Sequence, residues 1–124
     1  MNVPQAPDAA LLDLVNAALA DLKAVDVRVI DVRDQTTMTD HMVIASGTSD
    51  RHVRALAENV VVEAKHRGFP PIGVEGESHG EWVLVDLGDV IVHVMQPRIR
   101  DYYNLERFWA PSEEAEEKAP ATSH

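Results

Sequence analysis

The clearest hydrophobic pattern in the chain is a pair of alternating runs, Trp82–Leu87 and Val90–Met95, on either side of Gly88-Asp89. Alternation with a period of two is typical of β-strands, and a two-residue loop that contains Gly predicts a tight hairpin. The loop sets the register of the two strands. One surface of the hairpin, the aliphatic face, then carries Val83, Val85, Leu87, Val90, Val92 and Val94.

The opposite surface of the hairpin, the mixed face, combines apolar and polar side chains. It carries Trp82, Leu84, Asp86, Ile91, His93 and Met95. The register makes Asp86 and His93 diagonal neighbours, close enough for a hydrogen bond. An Asp–His pair can activate a nucleophile, but no Ser or Thr is obviously positioned on this face, which favours a structural or interface pair.

The remaining patterns predict one α/β domain over residues 8–110, with a mixed sheet flanked by helices. Apolar residues three and four apart predict three helices: one capped by Asp8, one capped by Ser49 and ending before Gly68, and one over Ile99–Trp109. Short apolar runs predict three further strands: Val27–Val32, His41–Ala45 and Ile72–Glu75. The glutamate-rich residues 111–124 predict a disordered tail.

Charge narrows the possible partners of this domain. The formal net charge is −10, and the segment from Ile72 to Gln96 has no Lys or Arg. Its carboxylates are Glu75, Glu77, Glu81, Asp86 and Asp89. Little direct contact with nucleic acid is expected, because such contact needs cationic side chains against phosphates. An acidic surface suits a basic protein partner, or a metal, better.

Composition excludes several other classes of function. The absence of Cys excludes disulfides and thiol catalysis, and no apolar run is long enough to span a bilayer. The N-terminus lacks a secretory signal, so we expect a cytoplasmic location. The His residues form no ligand-spaced cluster, and neither a metal nor another cofactor is predicted.

The Ser46-Gly47-Thr48-Ser49 segment connects a predicted strand to a helix, where backbone N–H groups can bind an anion. It lacks the Lys of a P-loop, and an ordinary capped turn is favoured. Nucleotidyl transfer would also need two carboxylates that converge on a metal. The nearest pair, Asp86 and Asp89, occupies a strand and a loop and does not converge, which is a second argument against this reaction.

Trp82 has two interpretations. It could be a core residue covered by the C-terminal helix, or a partly exposed anchor within an acidic rim, as in many interface hot spots. Tyr102, Tyr103 and Trp109 face the same choice, and the spacing of Tyr102, Leu105 and Trp109 favours packing for most of them.

Several motifs, in order, resemble the ribosomal silencing factor S (Iojap-like) family. They are Asp40-His41-Met42-Val43-Ile44-Ala45-Ser46-Gly47-Thr48-Ser49-Asp50-Arg51-His52-Val53, Gly73-Val74-Glu75-Gly76, the run from Trp82 to Met95, and Arg100, Tyr103, Leu105-Glu106 and Trp109. The resemblance covers roughly Leu11 to Trp109. His41 departs mildly from the apolar residue expected there.

The resemblance implies a nucleotidyltransferase-like fold without the catalytic acidic pair, and a function that is not enzymatic. It implies a homodimeric translational repressor that binds the large ribosomal subunit through ribosomal protein L-fourteen. Binding there would block joining of the small subunit when nutrients are scarce. Carried over to this chain, the partner-binding residues are Trp82, Glu75, Asp86, His93 and Met95. A nucleotidyltransferase-like enzyme and a general dimeric adaptor remain the alternatives.

Overall fold

A computed structural model describes residues 7–109 of the chain, and the predicted tail at 111–124 lies outside this range. The elements in chain order are α1 (Pro7–Asp21), β1 (Val25–Asp31), β2 (His41–Ser46), α2 (Asp50–His66), β3 (Gly73–Glu75), β4 (Trp82–Asp86), β5 (Val90–Met95), α3 (Pro97–Tyr103) and α4 (Leu105–Phe108). Within this part of the chain no helix combines the length and the apolar character that a membrane span requires.

The five strands form one mixed sheet in the order β1-β2-β5-β4-β3, as the α/β prediction requires. β2 and β5 run parallel in the centre, and the other neighbouring pairs are antiparallel. The predicted hairpin register is confirmed, because Val83 pairs with Val94 and Val85 with Val92. The loop closes through the Leu87 N–H and the Val90 carbonyl at 2.9 Å. Gly88 has a φ of 89°, which a β-carbon would disfavour.

The aliphatic face of the hairpin forms the main core together with α1 and α2. Val83, Val85, Val92 and Val94 are fully buried there. α2 begins where Ser49 accepts a hydrogen bond from the His52 N–H at 3.1 Å, so the predicted cap is confirmed. α1 begins at Pro7, which places Asp8 inside the helix rather than at the predicted cap position.

The mixed face is covered by shorter elements. α3 starts directly after β5, with Pro97 in its first turn, and its Ile99 packs against this side of the sheet. Buried residues of β1, β2 and β5, together with Val32 just after β1, form a second, smaller core cluster on this side: Ile30, Val32, Met42, Ile44 and Met95. Trp82, Ile91, Ile99, Leu105 and Trp109 pack against it and are only partly buried.

The predicted single helix over Ile99–Trp109 is wrong in one respect, because Asn104 divides it into α3 and α4. Asn104 has φ 51° and ψ 52°, the left-handed conformation that Asn tolerates better than most residues. Its N–H donates to the Arg100 carbonyl at 2.8 Å and ends α3. The chain therefore turns at Asn104, and the side chains that follow point in new directions.

Candidate partner-binding face

The sheet register places the mixed-face residues in rows that cross the strands. One row contains Glu75, Leu84, His93 and Ile44, which are successive partners on β3, β4, β5 and β2. The next row pairs Trp82 with Met95, and Met95 in turn with Ser46. A third row pairs Asp86 with Ile91. The five residues carried over from the family resemblance therefore lie on one surface, within three adjacent rows.

Trp82 is half-buried, between the two interpretations that the sequence left open. Its Nε1–H donates to Nδ1 of His93 at 2.9 Å, and the two ring centroids lie 5.9 Å apart. From the other side the ring of Tyr103 packs against it, with centroids 5.0 Å apart and planes tilted by 50°. The indole is thus held in one orientation while part of its surface remains open to solvent.

His93 is buried, with 6 % of its surface exposed, and burial lowers its pKa to about 4. Because the Trp82 indole can only donate, Nδ1 of His93 must accept, and the neutral ring carries its proton on Nε2. A proton at Nδ1 would oppose the indole N–H directly. His93 therefore supports the orientation of Trp82 as a neutral acceptor at physiological pH.

The predicted pair of Asp86 and His93 is wrong. Both residues lie on the mixed face in the predicted register, but His93 has a second diagonal neighbour, Trp82, and bonds to that residue instead. Asp86 turns toward the hairpin loop, where its carboxylate accepts the Gly88 N–H at 2.9 Å. Asp86 therefore stabilises the turn and does not orient a base.

Among the five carried-over residues, Glu75 is exposed whereas Met95 is fully buried. Glu75 is exposed at the edge strand β3, beside a shallow depression of about 220 Å³ that Gly76, Trp82 and Leu84 also line. Met95 has no exposed surface. It lies beneath Trp82 and the helices that cover the sheet, so its contribution to any surface is to support the residues above it.

Two aromatic residues beside Trp82 were not among the residues carried over. Tyr102 is 80 % exposed and Tyr103 is 53 % exposed, and their rings meet edge to face at 5.0 Å. They line a groove of about 800 Å³ together with Ile99, Arg98 and Asp101. The prediction that Tyr102 packs inward is wrong, because α3 ends at Asn104 and the spacing to Leu105 and Trp109 no longer follows one helix.

Part of the acidic character predicted for the hairpin region lies on the same face as Trp82. Glu75 is exposed beside the indole and Asp86 is partly exposed on the same face, whereas Glu77 lines a pocket against α2 and Asp89 lies in the hairpin loop. Glu81 approaches Arg98 at 3.8 Å, but both side chains are more than half exposed, so water screens this pair. The rim next to the indole can therefore offer carboxylates to a cationic partner.

The turn before α2 is already occupied by contacts within the chain. Ser49 accepts the His52 N–H, Asp50 accepts the Arg51 N–H at 2.8 Å, and Nδ1 of His52 accepts the Thr48 N–H at 2.9 Å. Three of the backbone donors that could bind an anion are thus satisfied, and the Asp50 carboxylate lies among them. This geometry fits the capped-turn interpretation. Among residues 7–109, no three His, Asp or Glu side chains are grouped so that they could hold a metal ion.

Comparison with known proteins identifies relatives of this chain. A family model described as "ribosomal silencing factor during starvation" matches residues 4–124. The chain is 44 % identical over 101 residues to the ribosomal silencing factor of Haemophilus influenzae, a match that spans 82 % of this chain and 99 % of that protein.

Two further comparisons agree with this match. A crystal structure of a Chromobacterium violaceum protein is similar with a TM-score of 0.82 and 43 % identity, covering 84 % of this chain and 87 % of that one. A mouse protein named for mitochondrial assembly of the ribosomal large subunit is 37 % identical over 101 residues. That match covers 79 % of this chain and 44 % of the mouse protein.

Proposed function

The chain belongs to the ribosomal silencing factor family, and on this premise we propose that it is a translational repressor that binds the large ribosomal subunit. The contact is made through ribosomal protein L-fourteen, and the bound protein blocks joining of the small subunit by occupying its place when nutrients are scarce. Steric exclusion requires no reaction, so the protein acts without catalysis.

The observation that carries this proposal is the half-exposed, fixed indole of Trp82. A large aromatic side chain that is held in place loses little conformational freedom on binding, which is why Trp is frequent among interface hot spots. The His93 bond and the Tyr103 ring supply this restraint. Trp82 is therefore the first of the proposed contact residues.

Charge supports a basic protein as the partner. Glu75 is exposed and Asp86 partly exposed on the same surface as Trp82, and both side chains are carboxylates. Lys or Arg side chains of the partner would meet this rim, raising the association rate more than the final affinity. Phosphates would be repelled, so we propose little direct contact with ribosomal RNA.

His93 and Met95 complete the proposed set as residues that support Trp82. Neither offers surface comparable to that of Trp82, since their exposed fractions are 6 % and 0 %. They act on the partner through Trp82, His93 by its hydrogen bond and Met95 by packing. The proposal thus divides the five residues into contacts and supports.

A subunit-joining experiment tests the proposal. Isolated small and large subunits are mixed with a saturating amount of the protein, and the products are separated on a sucrose gradient. We expect free subunits to accumulate, and the protein to sediment with the large subunit only. Normal joining in the presence of saturating protein would refute the repressor function.

Two further properties belong to this proposal: a cytoplasmic location and a homodimeric state in the absence of ribosomes. The homodimeric state rests on the family resemblance. Analytical ultracentrifugation of the free protein, followed by measurement of its stoichiometry on the large subunit, determines whether one or two copies bind.

The enzymatic alternative receives no support from the described residues. The N–H groups of Thr48, Arg51 and His52 at the start of α2 already have acceptors, and Asp86 accepts a hydrogen bond in the hairpin turn. Under the present proposal, millimolar nucleotide with Mg²⁺ should leave the melting temperature unchanged, because only a ligand of the native state raises it. A clear increase would favour the nucleotide-binding alternative.

A further inference from the structure

Arg100 of α3 is a buried cation, with 5 % of its side chain exposed. Its Nε and Nη2 donate to the two carboxylate oxygens of Glu106 at 2.9 and 2.8 Å, and its Nη1 donates to the Ser46 hydroxyl at 2.8 Å. Asp26 lies farther out, 3.7 Å from Nη2. The hydrogen bonds that Arg100 donates to Glu106 raise the pKa of Arg100, so the guanidinium stays charged. One side chain thereby joins α3, α4, β1 and β2.

The helices joined in this way are too short to hold themselves in place. α3 has 7 residues and α4 has 4, whereas isolated helices below about 12 residues are marginal in water. α4 has no buried residue of its own. Asn104 turns the chain so that Glu106 comes back to Arg100, and this ion pair closes the α3–α4 unit on itself. Ile99 and Leu105 pack against the smaller core cluster, and the Arg100 contacts add the buried polar link between this unit and β2.

Tyr103 follows Arg100 by three residues, so the two lie on neighbouring sides of the same helix. With Arg100 fixed to Ser46 at the end of β2, the rotation of α3 about its axis is fixed as well. That rotation places the Tyr103 ring against Trp82 at 5.0 Å. A rotation of α3 would move Tyr103 away and leave one side of the indole unsupported.

From these contacts we infer that Arg100 is a positioning residue for partner binding: it holds α3 so that Tyr103 and Trp82 form one rigid aromatic surface. Arg100 is too buried to meet a partner itself. It acts through Tyr103, and Glu106 and Ser46 are required for its action. This inference rests on the proposed binding function and adds a residue that lies outside the contact surface.

The test uses the whole protein with Arg100→Met, which keeps most of the side-chain stem and removes the hydrogen-bonding fork. Arg33→Met is the matched control, because Arg33 forms a bidentate pair with Asp31 at the surface. The first readout is the nuclear Overhauser effect between the Trp82 and Tyr103 rings. We expect it to disappear in Arg100→Met and to remain in Arg33→Met.

The second readout is affinity for isolated large subunits. We expect Arg100→Met to bind about tenfold more weakly or worse, because a surface that must first be ordered loses binding free energy. Arg33→Met should bind as the unchanged protein does. Arg100→Lys restores the charge without the planar fork, and we expect it to fall between the two.

Each outcome decides the inference. It is overturned if Arg100→Met keeps the Trp82–Tyr103 contact, or if it loses that contact and still binds with unchanged affinity. If Arg100→Met does not fold, Glu106→Gln, which keeps the shape of the carboxylate, takes its place under the same two criteria. If the unchanged protein does not bind large subunits, the proposed function fails, and the Overhauser measurement alone decides whether Arg100 positions Tyr103.

Discussion

The two faces of the central sheet are built differently. The aliphatic face is covered by α1 (15 residues) and α2 (17 residues), and its side chains form the main apolar core. The mixed face is covered by α3 and α4, and its packing includes two polar assemblies, Trp82–His93 and Arg100–Glu106. The aliphatic face is thus buried, whereas the mixed face leaves aromatic and acidic side chains at the surface.

The aliphatic face therefore mainly stabilises the fold, whereas the mixed face mainly serves the proposed binding. A domain of this size needs one large apolar core, and the aliphatic face provides it. The buried polar groups of the mixed face add little net stability, because desolvation offsets most of their attraction. What they do provide is a fixed geometry for exposed side chains. Substitutions on the two faces should therefore affect different measurements.

The largest effect on stability is expected for Leu56→Ala on the aliphatic face. Leu56 has no exposed surface, and the shortened side chain leaves a cavity against the sheet. We expect a loss of about 3 kcal/mol in the free energy of unfolding, measured by urea denaturation. The folded fraction should still bind large subunits with unchanged affinity. Reduced affinity of the folded fraction would show that the aliphatic face also affects binding.

The pH dependence of stability should identify His93. Folding lowers the pKa of His93 from 6.5 to about 4, so between these values the unfolded chain binds a proton that the folded protein does not. The stability contributed by the neutral ring is complete above pH 6.5 and is lost as the pH falls toward 4, by about 3 kcal/mol at most.

The measurement compares the unchanged protein with His93→Gln, which keeps a hydrogen-bond acceptor and cannot titrate. Carboxylates that also titrate in this range are shared by both proteins and cancel in the difference. We expect the unchanged protein to lose stability more steeply on acidification. Parallel curves would show that His93 is not buried in its neutral form.

Trp82→Ala should affect binding more than folding. Loss of a central aromatic anchor commonly weakens an interface by about 2 kcal/mol or more, equivalent to about thirtyfold in affinity. The matched control is Phe69→Ala, because Phe69 is a partly buried aromatic residue that packs against the core of the aliphatic face. We expect co-sedimentation with large subunits to fail only for Trp82→Ala. Equal loss in both variants would assign the effect to stability.

The smallest effect is expected for Ser49→Ala, which removes the N-cap of α2. The His52 N–H loses its acceptor, and we expect the free energy of unfolding to fall by about 1 kcal/mol. Binding should not change, because α2 covers the aliphatic face. Thermal denaturation and large-subunit affinity, measured on the same sample, check both statements.

Local patterns were sufficient to predict much of the fold. The alternation around Gly88-Asp89 predicted the hairpin register, and Ser49 predicted the start of α2. The break at Asn104 was missed, because the apolar spacing continues across it and the left-handed conformation depends on tertiary contacts.

The details of the candidate face were harder to predict for a related reason. The register gives His93 two diagonal neighbours, and the choice of Trp82 over Asp86 is made by side-chain packing and by the competing Gly88 N–H. Arg100 and Glu106 are 6 residues apart, about two residues more than one helical turn. Their side chains meet only because the chain turns at Asn104. The likeness to nucleotidyltransferases, the residue-level binding site and the homodimer remain predictions.

In the proposed binding mode, the mixed face with Trp82 at its centre meets a basic ribosomal protein. Site-specific photo-crosslinking tests it most directly, with a benzophenone side chain in place of Glu75 beside Trp82, or in place of the exposed Glu58 on α2 as the control. On isolated large subunits, we expect the probe at position 75 to label ribosomal protein L-fourteen and the probe at position 58 to label nothing. Labelling from position 58 alone, or labelling of ribosomal RNA from position 75, would contradict the account.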